Sequence, residues 1–352
     1  MNIAIVIPTI EAGGAEKQAV ILAQNLSAEH KVTFYVFFGN LPREEKHLKA
    51  LKEANVELVP MFASLPSKIR TLGKELKKRN TDVAFNFLTM CDVAGCVAER
   101  KAGVKMIYNG IRSSRLVWWK ECLERYFHNH VATGTIFNSY CASDYFGERG
   151  FKKDREIVIP NCFLNISPCN EREPKDVKTV ISVGRFDTAK DYETAVKTIA
   201  KLREKRSDFR YWIVGYGALE QEIREWISQY GIEDITEIKF NPPNISELLN
   251  AADVFLMTSL YEGTSNAVME AMNASLPVVC TGVGDNVHLV QDGKSGYIHS
   301  VGDAAGMAVS LNKVLSDDIL RNEFGKVANS RLKENYSVDI FRRRYEALFT
   351  TK

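Results

Sequence analysis

The sequence predicts an α/β chain built as two doubly wound, parallel-sheet domains. Three observations lead there. Short apolar runs of strand length alternate with helical segments along the chain, the pattern of repeated βα units. That alternation is interrupted once, at 165–177, by a polar stretch holding Pro168 and Pro174, and a second βα series follows it. The length of 352 residues exceeds one α/β domain of typical size and fits two of about 150 to 200 residues.

In the first series, Ile3 to Pro8 reads as a strand. Glu11 to Lys17 then turns into a helix carrying Ala19, Val20, Leu22, Ala23 and Leu26. Gly13 and Gly14 let the backbone approach a ligand and expose its N–H groups; a plain tight turn is the alternative. This loop lacks the three-glycine dinucleotide fingerprint, and the strand from Lys31 to Phe38 does not end in an acid, which argues against a nicotinamide enzyme. Strands follow at 56–59, 82–88, 105–111 and 134–138, with helices near 66–79, from 92, and at 116–128. Ile157 to Asn161 closes the domain.

The second series opens with the strand 179–186, ending in Gly184, Arg185 and Phe186, and Lys190 is expected to start its helix. An arginine fork and a lysine point charge at one strand end suit a diphosphate, although two solvated cations would read the same way. Tyr211 to Val214 is the next strand, closing in Gly215, Tyr216 and Gly217, where a nucleobase or ribose could lie against the backbone. A strand at 237–240 and a helix from Ser246 lead to the buried strand 254–259. After it, Glu262 to Asn266 supplies a turn and helix-cap candidates, and the apolar run 276–280 is the next strand. Loops at 283–286 and 291–296 and an amphipathic segment at 338–349 complete the chain.

Composition agrees with two ordinary cores: 45% apolar and 26% charged residues leave no case for disorder. The net charge of +2 gives no reason to expect nucleic acid, but it conceals an asymmetry. Residues 1–165 hold 23 Lys and Arg against 17 Asp and Glu, or +6, and the remainder holds 23 against 27, or −4. Met1 to Pro8 reads as a strand and not a leader, and no apolar run approaches the 18 residues of a membrane span, so a cytoplasmic location is expected. The seven cysteines are scattered without metal-ligand spacing, and His128 and His130, two apart on a helix, point to different faces. No metal and no cofactor is expected.

The centre of the second series is Tyr261 to Glu270, in which Glu262 and Glu270 are separated by seven residues. The following helix N-terminus offers unpaired N–H groups and partial positive charge to an anion, while the two glutamates could equally be ordinary helix-flanking acids. With Gly263 between them and the continuation Glu270-Ala271-Met272 to Leu276-Pro277-Val278, this stretch resembles the signature of the family 4 retaining glycosyltransferases. The Gly13-Gly14-Ala15-Glu16 loop, the Arg185 and Lys190 pair and the later loops fall in the order of that family, so the resemblance covers nearly the whole chain. It implies the GT-B architecture, two Rossmann-like domains facing a cleft. An acceptor-side domain would span 1–165, a nucleotide-sugar domain 178–335, and a helix at 338–352 would cross back to the first domain.

The resemblance further implies transfer of a sugar from a nucleotide diphosphate sugar, a UDP sugar first among donors, to a hydroxyl of a growing or lipid-linked glycan. The anomeric configuration would be retained and no metal needed. Arg185, Lys190 and the Gly13-Gly14 backbone would meet the phosphates, and Glu270 the ribose. Gly215 and Gly217 would adjoin the nucleoside, and Glu262 with Gly263, Thr264, Ser265 and Asn266 the donor sugar. The family's histidine on the loop after the strand ending at Leu88 is missing; Thr89 or Asp92 is the local replacement. A nucleotide-sugar epimerase or hydrolase and a non-catalytic nucleotide-sugar binder are the rival readings.

One more pattern bears on partners. Pro66 to Arg79 carries six cations and one acid, with Leu65, Ile69, Leu72 and Leu76 at helical spacing, and Arg112 to Lys120 places Trp118 and Trp119 among cations. Both helices could simply pack their apolar faces on the sheet. Alternatively they would make a peripheral contact with an anionic membrane surface.

Overall fold

The computed structural model describes residues 1–113 and 115–350. The chain divides into two compact units: Met1–Cys162 together with the segment from Val338 onward, and Phe163–Ser337.

The first unit alternates strand and helix in the order β1 (Asn2–Ile7), α1 (Gly14–Leu26), β2 (Lys31–Val36), α2 (Glu45–Glu53), β3 (Glu57–Pro60), α3 (Leu65–Lys78), β4 (Val83–Asn86), α4 (Leu88–Ala102), β5 (Met106–Ile111), α5 (Trp118–His130), β6 (Gly134–Phe137), α6 (Tyr140–Gly147) and β7 (Glu156–Val158). Its sheet runs β3-β2-β1-β4-β5-β6-β7, all parallel. The second unit runs β8 (Lys178–Arg185), α7 (Tyr192–Arg203), β9 (Phe209–Tyr216), α8 (Glu220–Gln229), β10 (Thr236–Phe240), α9 (Ile245–Ala251), β11 (Val254–Met257), α10 (Asn266–Asn273), β12 (Val278–Thr281), α11 (Asn286–Leu289), β13 (Gly296–His299), α12 (Ala304–Ser316) and α13 (Asp318–Tyr336). Its sheet, also parallel, has the order β10-β9-β8-β11-β12-β13. The last helix, α14 (Val338–Ala347), belongs to the first unit.

Inner strands β4, β6, β11 and β12 are buried at every residue, as strands covered by helices on both faces must be, and this is why they read as continuous apolar runs without alternation. In each sheet the strand order reverses once, between β1 and β4 and between β8 and β11. Ligands of open α/β sheets lie outside the carboxyl ends of the strands at such a reversal. The segments following β1 and β4 in the first sheet and β8 and β11 in the second are therefore the candidate ligand positions.

The final helix is fixed to the first unit by its buried aromatic face. Phe341 and Tyr345 are buried, Tyr345 packs edge-on against Phe85 at 5.1 Å, and the Tyr108 hydroxyl donates to the Leu348 carbonyl at 3.0 Å. Arg112 adds a hydrogen bond to the Tyr345 hydroxyl at 2.7 Å.

Several details differ from the sequence expectations. The stretch 165–177, expected as a linker, is a strap fastened to the second unit. Arg172 is buried there and donates to the carbonyls of Ala252, Ser275 and Ala274 at 2.6, 2.7 and 2.6 Å. Burial lowers its pKa to about 10, which still leaves it charged at neutral pH. The strand expected at 254–259 ends at Met257, because Thr258 and Ser259 turn their hydroxyls to neighbouring loops. Helix α4 starts at Leu88 and not at 92, with Leu88 itself at φ +70°. Helices α2, α6, α8, α11, α12 and α13 and strand β13 had no counterpart in the sequence reading; α2 buries only Leu51, too little apolar surface to leave a periodic signal.

Candidate active site

The site in the second unit is assembled from three segments that leave the carboxyl ends of β8, β11 and β12. After β8 the chain makes a 3-10 turn at Thr188–Lys190, with the Asp187 carboxylate accepting from the Ala189 N–H at 3.1 Å. Asp191 then adopts a left-handed conformation, φ +46°, and caps α7 by accepting from the Thr194 N–H at 3.3 Å. Lys190 was expected to open the helix; it lies instead on the turn that precedes it. Thr258, just beyond β11, clamps this turn by donating to the carbonyl of Lys190 at 3.0 Å or of Asp191 at 2.8 Å. The Leu260 N–H donates to the Ala189 carbonyl at 2.8 Å.

This geometry turns the Lys190 ammonium toward Glu262, and Nζ donates to Oε1 at 2.5 Å. Both side chains are mostly buried, 18% and 12% exposed, so the pair is weakly screened by solvent. Ser259 Oγ donates to the same Oε1 at 2.8 Å. Two of the expected site residues thus form one charge-assisted contact. Arg185 behaves differently. Its side chain is 72% exposed and its guanidinium lies 3.2 Å from the Asp187 carboxylate, which leaves it well placed to rearrange onto an incoming anion.

The loop after Glu262 is held by the segment after β12. The Asp285 N–H donates to the Gly263 carbonyl at 3.0 Å, and Thr264 Oγ1 donates to the buried Asp285 carboxylate at 2.8 Å. Gly284, at φ +54°, lies against Glu262, where an added Cβ would come within 2.4 Å of the Glu262 carbonyl oxygen. Thr281 Oγ1 donates to the Ser259 carbonyl at 2.7 Å, completing a polar belt beneath the loop. Ser265 caps α10, its hydroxyl accepting from the Val268 N–H at 3.4 Å, and Asn266 is exposed in the first turn. Gly263 has open space where a Cβ would stand, so ligand access there is unobstructed.

Glu270 lies one turn into α10 and lines a cavity of about 460 Å³ with Pro243, Ser246, Asn250 and Asn273. Gly215 and Gly217 adjoin the end of β8, but their lack of a side chain has a reason inside the protein. A Cβ on Gly215 would stand 1.8 Å from the Gly184 carbonyl oxygen, and one on Gly217 2.4 Å from that of Phe186. Gly13 and Gly14 lie in the other unit, where Gly13 precedes α1. A Cβ on Gly13 would strike the Glu16 carboxylate at 2.0 Å, whereas Gly14 faces open space. Asp92 does not replace the missing histidine at a ligand surface. It is fully buried, and its carboxylate accepts from the Gly110 N–H at 2.8 Å.

Sequence reasoning placed the 283–286 loop, with Asp285, near this stretch but missed Thr258, Ser259 and Thr281 as partners of the candidate site. Small hydroxyls at strand ends look like ordinary loop residues, and only the spatial meeting of β8, β11 and β12 gives them partners.

Residues 167–331 match the family described as glycosyl transferases group 1. That match takes in most of the second unit, Phe163–Ser337. Over 349 residues the chain is 25% identical to a Campylobacter jejuni protein, covering 95% of this chain and 94% of that one. The relative is named GalNAc-alpha-(1->4)-GalNAc-alpha-(1->3)-diNAcBac-PP-undecaprenol alpha-1,4-N-acetyl-D-galactosaminyltransferase. A shorter match, 35% over 153 residues or 41% of this chain and 38% of the relative, is to the putative colanic acid biosynthesis glycosyltransferase WcaL of Escherichia coli. Among solved structures, Anabaena Alr3699/HepE in complex with UDP superposes with a TM-score of 0.81 at 17% identity over 99% of both chains. The apo lipopolysaccharide outer core galactosyltransferase WaaB gives a TM-score of 0.78 at 16% identity, again over 99% of both. The fold is GT-B.

Proposed function

We propose that this glycosyltransferase moves a sugar from a nucleoside diphosphate sugar, a UDP sugar first, to a hydroxyl of a growing or lipid-linked glycan. Configuration is retained and no metal ion takes part. The observation that carries the reading is the Lys190–Glu262 contact at the reversal of the second sheet, beside the exposed Arg185 and next to the start of α10. A leaving diphosphate accumulates negative charge as the glycosidic bond breaks. Two cations and the free N–H groups of α10 stabilise that charge where water is scarce. Glu262 holds Lys190 in place until the phosphate competes for it, and is then free to accept from a donor-sugar hydroxyl. Glu270, at the wall of its cavity, accepts from the ribose hydroxyls. The UDP complex of the structural neighbour and the undecaprenol-linked substrate in the Campylobacter relative's name support the donor and acceptor classes.

The acceptor side of the proposal is a peripheral contact of the first unit with an anionic membrane. In α3, Leu72 and Leu76 are fully buried while Arg70, Lys74, Lys77 and Lys78 point outward. Trp118 and Trp119 are 79% and 55% exposed, amphipathic rings of the kind that settle at a membrane–water interface. Of the stretch Arg112 to Lys120, Ser114 lies outside the described residues. No described helix is long and apolar enough to cross a membrane.

The test is incubation with a panel of nucleotide sugars and polyprenyl-diphosphate-linked glycans in excess chelator. Released nucleoside diphosphate and a new glycosidic bond with the donor's anomeric configuration are expected from the NMR spectrum of the product. An epimerised donor, an inverted linkage or activity only after adding magnesium or manganese would contradict it.

A further inference from the structure

The first unit buries three carboxyl groups between its sheet and two of its helices. Asp92 and Glu99 on α4 are fully buried and Glu124 on α5 is 1% exposed. Glu99 has a donor of its own, Asn86 Nδ2 at 3.0 Å. Asp92 Oδ1 accepts from the Gly110 N–H at 2.8 Å. The other Asp92 oxygen and both oxygens of Glu124 are buried without a well-formed hydrogen bond, the Thr89 hydroxyl standing beside Glu124, and the two carboxyl groups adjoin each other where α4 packs on α5. Two ionised carboxylates cannot share a dry space, because each lacks solvation and repels the other. A proton on one of them removes both costs and supplies the missing donor.

We propose that Asp92 and Glu124 hold a single proton between them, and that this proton is the latch that fastens α5 to α4. Glu124 is the acid and Asp92 the carboxylate it donates to, since Asp92 has the Gly110 N–H and the Arg112 charge to support an anion. The surroundings agree. From α4 itself, Cys91 and Cys96 are buried thiols held neutral by desolvation, and Glu99 is pushed up to about 8 by burial. From β4 and β5 the facing groups are Asn86, Asn109 and, just past the strand end, Arg112, whose guanidinium is drawn aside to the Tyr345 hydroxyl of α14. From α5 the one nearby cation is Lys120, with Thr89 beside Glu124 on the α4 side. Burial raises Glu124 well above the usual carboxyl range and Asp92 to about 6.

The latch lies directly beneath the exposed face of α5, where Trp119, Leu123 and Tyr126 recur at i, i+4 and i+7, 55%, 39% and 58% exposed. Losing the proton leaves two buried charges under that face and frees the helix to lift. Because the closed state binds one more proton than the open one, the opening constant of α5 rises about 10-fold per pH unit above the free carboxyl value until the buried acid itself ionises.

The experiment is infrared spectroscopy of the full chain in deuterated buffer near neutral pH, where the carboxylic acid C=O stretch is resolved from carboxylates. The parent is expected to show buried carboxylic acid. Glu124→Gln should lose one acid from that signal, Asp92→Asn should keep it, and Glu99→Gln should remove only the separate contribution of Glu99. A parent spectrum without carboxylic acid overturns the proposal with no variant needed, and so does an unchanged acid signal in Glu124→Gln. Amide exchange across α5 supplies the second readout. Corrected for intrinsic chemistry, it should accelerate with pH in the parent and lose that dependence in Glu124→Gln, whose amide donates to Asp92 at any pH. Equal pH dependence in the two proteins contradicts the latch.

Discussion

Lys190 and Glu262 neutralise each other across 2.5 Å before any ligand arrives, so each is oriented in advance. Truncating either leaves the other charged and partly buried. Lys190→Ala is expected to lower kcat/KM for donor by about 10- to 100-fold, the equivalent of ~1.5 to 3 kcal/mol for a charge-assisted hydrogen bond, with the fold intact. Near-normal turnover in that variant would move the phosphate site elsewhere. Glu270→Ala should weaken binding of nucleoside diphosphate by a similar factor, read by calorimetry, because the ribose hydroxyls lose a charged acceptor. The glycines separate structural from ligand roles. Gly284→Ala and Gly215→Ala force a Cβ to within 2.4 and 1.8 Å of a carbonyl oxygen and should lower the melting temperature. Gly263→Ala meets nothing and should melt like the parent while binding donor more weakly. If all three melt alike, the packing account of these positions is wrong.

At the scale of elements, the β11–turn–α10 unit was legible because a fully buried strand, a polar break and a cap residue follow one another in sequence. The Lys190 turn was not, since nothing local announces that Asp191 adopts a left-handed conformation, and the constraint comes from Thr258 far along the chain. Helix α3 shows the same limit. Its six cations look equivalent in sequence, but Lys68 is buried over the Phe38 ring at 4.7 Å, and Arg79 is tied to Glu57 and Glu75. Only Arg70, Lys74, Lys77 and Lys78 are exposed and outside these contacts. Replacing those four with glutamine should abolish cosedimentation with anionic liposomes at low salt and leave the fold unchanged, each cation near the surface contributing about 1 kcal/mol. Substituting Arg79 should instead cost stability. Binding that is the same for neutral and anionic liposomes would remove the electrostatic basis of the membrane contact.

For the whole molecule, buried titratable groups in the first unit set the pH dependence of stability. Glu99 has its folded pKa raised to about 8, so the folded state binds more protons than the unfolded one from the free carboxyl range upward, and stability falls as pH rises toward 8. His128, lowered to about 4 by burial, works in the opposite sense and costs stability as pH falls below its free value of 6.5. Above about pH 6.5 the histidine contribution is complete, and the melting temperature should decline up to about pH 8, with Glu99→Gln flattening the decline. An unchanged slope in that variant would assign the pH dependence elsewhere. The two parallel sheets follow from alternating patterns that the sequence displays, whereas their strand orders and the buried acids were not legible, because a glutamate in a helix looks solvated until its neighbours are known.

The central claim is that the second unit grips a nucleoside diphosphate at the ends of β8 and β11. Calorimetric titration of UDP into the parent and into the Arg185→Ala, Lys190→Ala double variant tests it most directly. The account predicts that the parent binds UDP without added metal and that the variant, melting as the parent does, binds at least about 10-fold more weakly. Equal affinity in the two proteins would contradict it.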